Sequence, residues 1–422
     1  MMRKLMVDSI LTWAKDYKID GFRFDLMGHH MLEDIKTVRA ALNALTLEKD
    51  GVDGQKIYLY GEGWDFGEVA QNARGVNASQ KNLFGTGVGS FSDRQRDAVR
   101  GGGPFDEDQR TNQGYATGLF TLPNGMSVKN TDKATLEKAQ DIVMLGLAGN
   151  LKDFSFTNSS GATVKGSAID YNGQAAGYAA SPLETVTYVS AHDNETLWDV
   201  IQMKAPRKAT LEQRVRMNNL ALSTVALGQG VPFFHAGDEL LRSKSLDRNS
   251  YNSGDWFNKF DLTFKTNNWG VGLPPAGENK NKWPWAKELL ADPKLKAGQK
   301  EITRARDHMK EMLSIRSSSN LFRLGSLEGV QKGLKFIQTK TPGLIVMVLE
   351  GAKTPENPFK RVIVAFNSSG AAANLTGDMF KSSSLKLHKV LQDSSDMTVK
   401  LARAQDGALF VPGLTTAVFV EE

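Results

Sequence analysis

Three acidic residues each close a short apolar run. Asp25 ends Gly21-Phe-Arg-Phe-Asp25, Glu62 follows Tyr58-Leu-Tyr-Gly61, and Asp193 lies in Tyr188-Val-Ser-Ala-His-Asp-Asn194. An acid at the carboxyl end of a strand in a parallel barrel points into a shared cleft, where desolvation and like-charge repulsion shift its pKa. Any one of them alone reads more simply as a cap on the next helix. Three in the same strand-end position, each beside a second polar group (Arg23, Trp64 and His192), predict a carboxylate-based active site.

Such a site needs strands to carry the acids and helices to return the chain. Residues 2–17 place Met2, Leu5, Met6, Ile10, Trp13 and Tyr17 at three- and four-residue spacing, which predicts an amphipathic helix with a buried stripe. A strand is expected over 19–26, then a helix through Leu32, Ile35, Val38, Leu42 and Leu45. The same apolar pattern recurs over 57–60, 186–190 and 231–235. Helical spacing intervenes at Leu136–Val143, Leu211–Val225 and Ile302–Met312.

Alternation of this kind predicts a parallel sheet with right-handed crossovers, and acids at the strand ends place it in a (β/α)8 TIM barrel. Four or five strands can be counted where closure requires eight. Two long connections, 62–135 and 236–300, are expected to wall a substrate cleft. The second carries Trp256, Phe257, Trp269, Trp283 and Trp285. Beyond Ser319 the runs 344–349, 361–366, 385–391 and 416–420 read as strands separated by Gly, Pro, Asn and Ser. They predict an all-β sandwich over 320–422 after a catalytic unit over 1–319.

Composition narrows the function from the other side. The 422 residues are 40% apolar and 23% charged, enough for a large core. Lys and Arg exceed Asp and Glu by only 52 to 47, without a run able to follow a phosphate backbone, so nucleic acid is not an expected partner. The absence of cysteine excludes disulfides, thiolate zinc sites and cysteine nucleophiles. No apolar stretch reaches the ~20 residues of a membrane span.

The segments Gly-Phe-Arg-Phe-Asp25, Gly-Glu62-Gly-Trp64 and Ser-Ala-His-Asp193-Asn resemble three signature regions of the α-amylase superfamily, glycoside hydrolase family 13. More narrowly, Asp20-Gly-Phe-Arg-Phe-Asp-Leu-Met-Gly-His29, Tyr60-Gly-Glu-Gly-Trp-Asp-Phe-Gly-Glu-Val69 and Ser245-Leu-Asp-Arg-Asn-Ser-Tyr-Asn-Ser-Gly-Asp-Trp-Phe-Asn258 resemble its pullulanase and limit-dextrinase branch. The resemblance runs through nearly the whole chain. It implies a starch-debranching enzyme that cleaves α-1,6-glucosidic bonds in branched α-glucans (pullulan, amylopectin, limit dextrins).

By that resemblance Asp25 is the nucleophile, Glu62 the general acid and base, and Asp193 the group that grips sugar hydroxyls and distorts the ring. Retaining cleavage requires two carboxyl groups about 5–5.5 Å apart, one ionised and one protonated. Arg23, two residues before Asp25 and so on the same strand face, is expected to keep the nucleophile ionised; Gly61, Gly63 and Trp64 are expected to raise the pKa of Glu62. The resemblance also implies substrate contacts from His192, Asn194 and Trp64, whose flat indole suits a glucose face. Asp247, Arg248, Asn249 and Tyr251 are expected at outer glucose subsites, with Asp255 nearby. His235, Asp238 and Glu239 read as structural.

One family signature, Asp-x-x-x-Asn-His on an earlier strand, has no counterpart among His29, His30, His192, His235, His308 and His388. The expectation is a C-terminal fragment whose barrel lacks its first three strands and whose isolated turnover is low. An α-1,4-acting relative and a noncatalytic glucan-binding pseudoenzyme are the competing readings. No cofactor is required for two-carboxylate hydrolysis. Family members can carry structural calcium, but no carboxylate loop here has the spacing for it. The sequence assigns no location; bacterial relatives are secreted or cell-associated and plant ones plastidial.

Overall fold

The computed structural model describes residues 1–126 and 131–422. Its first unit is built on a five-stranded parallel sheet of β1 (Gly21–Phe24), β2 (Tyr58–Gly61), β3 (Gly89–Phe91), β4 (Thr185–Thr187) and β5 (Val231–Pro232), arranged in that order. Consecutive strands are neighbours, so each connection is a crossover that returns the chain to the same end. Helices α1 (Met2–Asp16), α2 (Leu32–Asn43), α3 (Asp93–Arg100), α4 (Lys133–Leu147), α5 (Leu197–Lys204), α6 (Leu211–Ala226) and α7 (Gln299–Ser317) accompany it. Among the described residues no helix is long and apolar enough to cross a membrane.

The strands are shorter than their sequence patterns. The runs expected over 19–26, 186–190 and 231–235 supply four, two and two ladder residues, because the chain turns away at the polar cluster that follows each. β3 was not legible: it falls inside the 62–135 segment expected to be a loop, and Gly-Ser-Phe carries no β-branched residue. Its glycine has a packing cause, since a Cβ on Gly89 would lie 2.1 Å from the Tyr58 hydroxyl. Helix α3 reads as solvated (Asp-Arg-Gln-Arg-Asp-Ala-Val-Arg) yet buries Arg94, Gln95 and Arg100. The second long connection also contains helical turns, the longest being Trp283–Ala291.

The stripe of α1 is corrected in part. Ile10 and Ala14 are buried against Ile35, Val38 and Leu42 of α2 and Leu59 of β2, whereas Met2, Leu5, Trp13 and Tyr17 face solvent. The outer edge of β1 pairs with no strand among the described residues.

The C-terminal strands form two antiparallel sheets. The larger one runs Leu334–Ile337, Leu344–Glu350, Arg361–Asn367, Thr415–Glu421 and Leu385–Leu387; the smaller runs Ala373–Thr376, Ala408–Val411 and Arg403–Gln405. The run expected as a strand over 385–391 turns helical at Lys389–Gln392. Ile345, Val364 and Phe419 share one apolar core with Leu145, Leu220 and Ile315 of α4, α6 and α7. Tyr115 seals the seam, donating to the carbonyls of Gly343 and Phe366 (3.0 and 2.8 Å). On the same seam Asp396 accepts from Arg216 of α6 (2.6 Å) and Arg304 of α7 (2.8 Å).

Candidate active site

Strand register brings the first two acids together. Arg23 pairs with Tyr60 and Phe24 with Gly61, so the next residues along, Asp25 and Glu62, are level on adjacent strands. The Glu62 N–H donates to Phe24 O (3.1 Å), continuing the ladder one step beyond both strands. Leu26 then takes a left-handed turn (φ 44°) and Gly28 N–H returns to Glu62 O (2.7 Å). Gly28 must be glycine, because a Cβ there would lie 2.0 Å from the Trp64 carbonyl. This tight return seats the Asp25 turn against the Glu62–Trp64 segment.

Arg23 serves both carboxylates. Nη1 lies 2.9 Å from Asp25 Oδ1 and Nη2 lies 3.0 Å from Glu62 Oε1. The other oxygen of Glu62 accepts from Leu26 N–H (2.7 Å). The two acids differ sharply in setting: 70% of the Asp25 side chain is open to solvent but only 11% of that of Glu62. The guanidinium carbon also stands 5.9 Å from the centre of the Phe91 ring on β3, which touches Tyr60, Tyr188 and Phe233. Trp64 is half-buried against this aromatic group.

Asp193 stands past the end of β4, two strands from β2 at the same end of the sheet. Its Oδ1 is 3.7 Å from His192 Nε2, and both side chains are more than half exposed. Asn194 turns left-handed (φ 62°) and Glu195 dives into the protein, where its carboxylate meets Lys282 and accepts from Gln109 (3.0 Å). Burial alone would raise the Glu195 pKa, but the Lys282 ammonium and Gln109 bring it below the ordinary value.

The outer loop divides. Asp247 is buried and faces inward, accepting from Ser253 Oγ (2.5 Å), Asn279 Nδ2 (2.9 Å) and Asn249 N–H (3.2 Å), so its carboxylate organises the loop that was expected to offer it to sugar. Asn249 reaches Glu278 (3.3 Å), Arg248 lies over the Phe105 ring at 5.2 Å, and Tyr251 and Asp255 are exposed. His235 and Asp238 sit beneath the rim after β5. Burial, followed by repulsion from Arg242 and Lys244, lowers His235 to about 3; burial raises Asp238 to about 7 while its bond from Ser190 (2.6 Å) opposes. Among the described residues no cluster of three or more His, Cys, Asp or Glu side chains is arranged to hold a metal ion.

Residues 264–422 match the family of pullulanase-type α-1,6-glucosidase C-terminal regions. The sequence is 46% identical to chloroplastic pullulanase 1 of Arabidopsis thaliana over 436 aligned positions, covering 100% of this chain and 45% of that protein. It is 42% identical to the pullulanase of Klebsiella pneumoniae, covering 99% of this chain and 38% of that one. This chain belongs to the pullulanase-type family.

The pullulanase-type chain spans less than half the length of these relatives. Its fold matches apo pullulanase from Klebsiella pneumoniae with a TM-score of 0.90 at 39% identity, over 99% of this chain and 45% of that one. A Klebsiella pneumoniae pullulanase complexed with maltotriose gives 0.90 at 40% identity, over 99% and 39%. Pullulanase from Bacillus acidopullulyticus shares the fold alone, with a TM-score of 0.70 at 23% identity.

Several polar residues around the site of this pullulanase-type chain carried no readable signal. Arg96 of α3 donates to the Tyr188 hydroxyl (2.7 Å) and Arg100 to Val189 O (3.1 Å), fixing the root of the Asp193 segment. Glu195 stands directly after Asp193-Asn194, but nothing in the sequence marks it. Its partners lie 86 and 87 residues away and no spacing rule connects them.

Proposed function

We propose that this chain carries catalytic carboxylates of a starch-debranching glycoside hydrolase that cleaves α-1,6-glucosidic bonds with retention in pullulan, amylopectin and limit dextrins. The observation that supports this is the Arg23 bridge: one guanidinium holds two carboxylates that the β1–β2 register sets level on adjacent strands. Neighbouring strands lie about 4.8 Å apart, the scale at which a retaining pair works.

In this reading Asp25 Oδ attacks the anomeric carbon as the bond to the leaving oxygen breaks, and Glu62 gives that oxygen its proton. Glu62 then takes a proton from water as the water displaces Asp25 from the sugar. Asp193, His192 and Asn194 bind hydroxyls of the ring being cleaved, Trp64 offers its ring face, and Arg248, Asn249 and Tyr251 reach outer glucose units. Arg23 keeps the nucleophile oriented, and its second bond to Glu62 must yield when Glu62 donates. Two carboxylates suffice, and no cofactor enters these steps.

The five strands read as the last five of a (β/α)8 TIM barrel over 1–319, with a β-sandwich over 320–422. On that reading the cleft is walled on one side, and turnover by the chain alone is low. Reducing-end release from pullulan, with maltotriose as the product, tests both parts. A small release that vanishes in Asp25→Asn and Glu62→Gln is the expected result; release unaffected by either change overturns the assignment, and turnover at a normal debranching rate overturns the one-sided cleft. The openness of Asp25 favours one second reading, noncatalytic α-glucan binding, which predicts saturable binding of pullulan with no release at all.

A further inference from the structure

The turn that carries Asp193 is exposed at its tip, and its backbone is fastened from below. Lys244 is buried, and its ammonium donates to two main-chain carbonyls on either side of Asp193: His192 O at 3.2 Å and Asn194 O at 2.6 Å. An ammonium has three donors and no acceptor, so one Lys can hold both carbonyls at once. Asn194 is left-handed (φ 62°), a conformation that asparagine adopts more readily than other L-residues, and the Lys244 ammonium binds the carbonyl of that same residue.

The base of this fastening is a second buried group. Asp199, near the start of α5, accepts from Ser243 Oγ (2.5 Å), Lys244 N–H (2.8 Å) and Leu246 N–H (3.3 Å). Those bonds secure a turn in which Ser245 and Leu246 are both left-handed (φ 54° and 65°). The Asp199 carboxylate thus engages the Lys244 backbone, while the Lys244 ammonium reaches the site turn. The next residues, Asp247 to Asn249, belong to the outer loop, so one short segment reaches both.

We propose that Lys244 is a positioning residue for the site, fixing the His192–Asn194 turn through its two carbonyls and so holding Asp193 in place. This rests on the reading that Asp193 acts in glucan cleavage. Removing the ammonium takes from these two carbonyls the donor they have among the described residues, and the turn loses its left-handed form first at Asn194.

Amide exchange across residues 190–196 and maltotriose release from pullulan are measured in the full chain, in Lys244→Met and in Lys244→Arg. In Lys244→Met, exchange over 190–196 is expected to rise about 10-fold while α6 is unchanged, and the residual release to fall about 10-fold at saturating pullulan. Lys244→Arg, which can still donate to both carbonyls, restores part of each. If Lys244→Met does not fold, Lys244→Gln, able to reach one carbonyl, is expected to give an intermediate rise. Unchanged exchange over 190–196 overturns the proposal. Looser exchange with unchanged release overturns the positioning role if Asp193→Asn abolishes release; release that also survives Asp193→Asn marks the failure of the functional reading itself.

Discussion

Arg23 Nη2 lies 3.0 Å from Glu62 Oε1, so the arginine of the Gly-Phe-Arg-Phe-Asp25 segment is bound to the acid of the neighbouring strand as well as to its own. Parallel register produces this: Arg23 is level with Tyr60, and its side chain extends along the strand direction to the end where both acids stand. The group expected to serve only Asp25 is the hinge of the pair.

Replacing Arg23 with Met leaves the largely buried Glu62 without its charged partner and is expected to cost about 2 kcal/mol in urea unfolding. Adding Glu62→Gln to that variant is expected to cost little more, because the interaction is already gone. Additive costs in the double-mutant cycle would show that the two side chains do not couple.

Gly28 tests the return of the chain after Asp25. Its missing Cβ is the space occupied by the Trp64 carbonyl, so Gly28→Ala must displace the Glu62–Trp64 backbone. A loss of about 2–3 kcal/mol is expected, with a change in near-ultraviolet circular dichroism. A variant as stable as the parent would mean that the two segments separate freely.

His308 of α7 is buried, with Nε2 2.9 Å from Ser223 Oγ and 3.0 Å from Asn219 O. Burial, followed by repulsion from Arg304, lowers its pKa to about 3. Below about pH 6.5 the unfolded chain takes up the proton and the folded one does not, so the stability contributed by the neutral ring is lost as pH falls from about 6.5 toward 3. His308→Gln removes this dependence: the stability of the parent relative to the variant should drop by about 3 kcal/mol between pH 7 and pH 4. A constant difference across that range would contradict it.

The outer face of α1 presents Met2, Leu5, Trp13 and Tyr17 to solvent, and one edge of β1 pairs with no strand among the described residues. An exposed apolar face and an open strand edge each favour association. The chain is expected to self-associate in sedimentation at micromolar concentration, and Leu5→Lys with Trp13→Lys to reduce that without lowering the unfolding midpoint. A monomeric parent would remove the basis for the expectation.

The strand-end acids, the arginine two residues before Asp25 and the apolar runs of four strands were legible because strand periodicity and terminal polarity are local properties of the chain. So were α2, α4, α6 and α7, whose apolar spacing repeats over several turns. β3 and α3 were not: one has three small or aromatic residues, and the other is a run of charges whose burial depends on Tyr188 and the Val189 carbonyl far along the chain.

The site divides in the same way. Sequence alone determined which acids stand at strand ends and, through resemblance, the family to which they belong. Tertiary structure decided that Arg23 joins two of them, that Asp247 turns inward, and that Lys244 and Glu195 anchor the Asp193 turn. The Arg23–Glu62, Asp247–Asn279, Lys244–Asn194 and Glu195–Lys282 contacts join residues distant in sequence, with at least one partner withdrawn from water. A charged group or carbonyl so withdrawn must find a partner, and one-dimensional spacing carries no record of which partner that is.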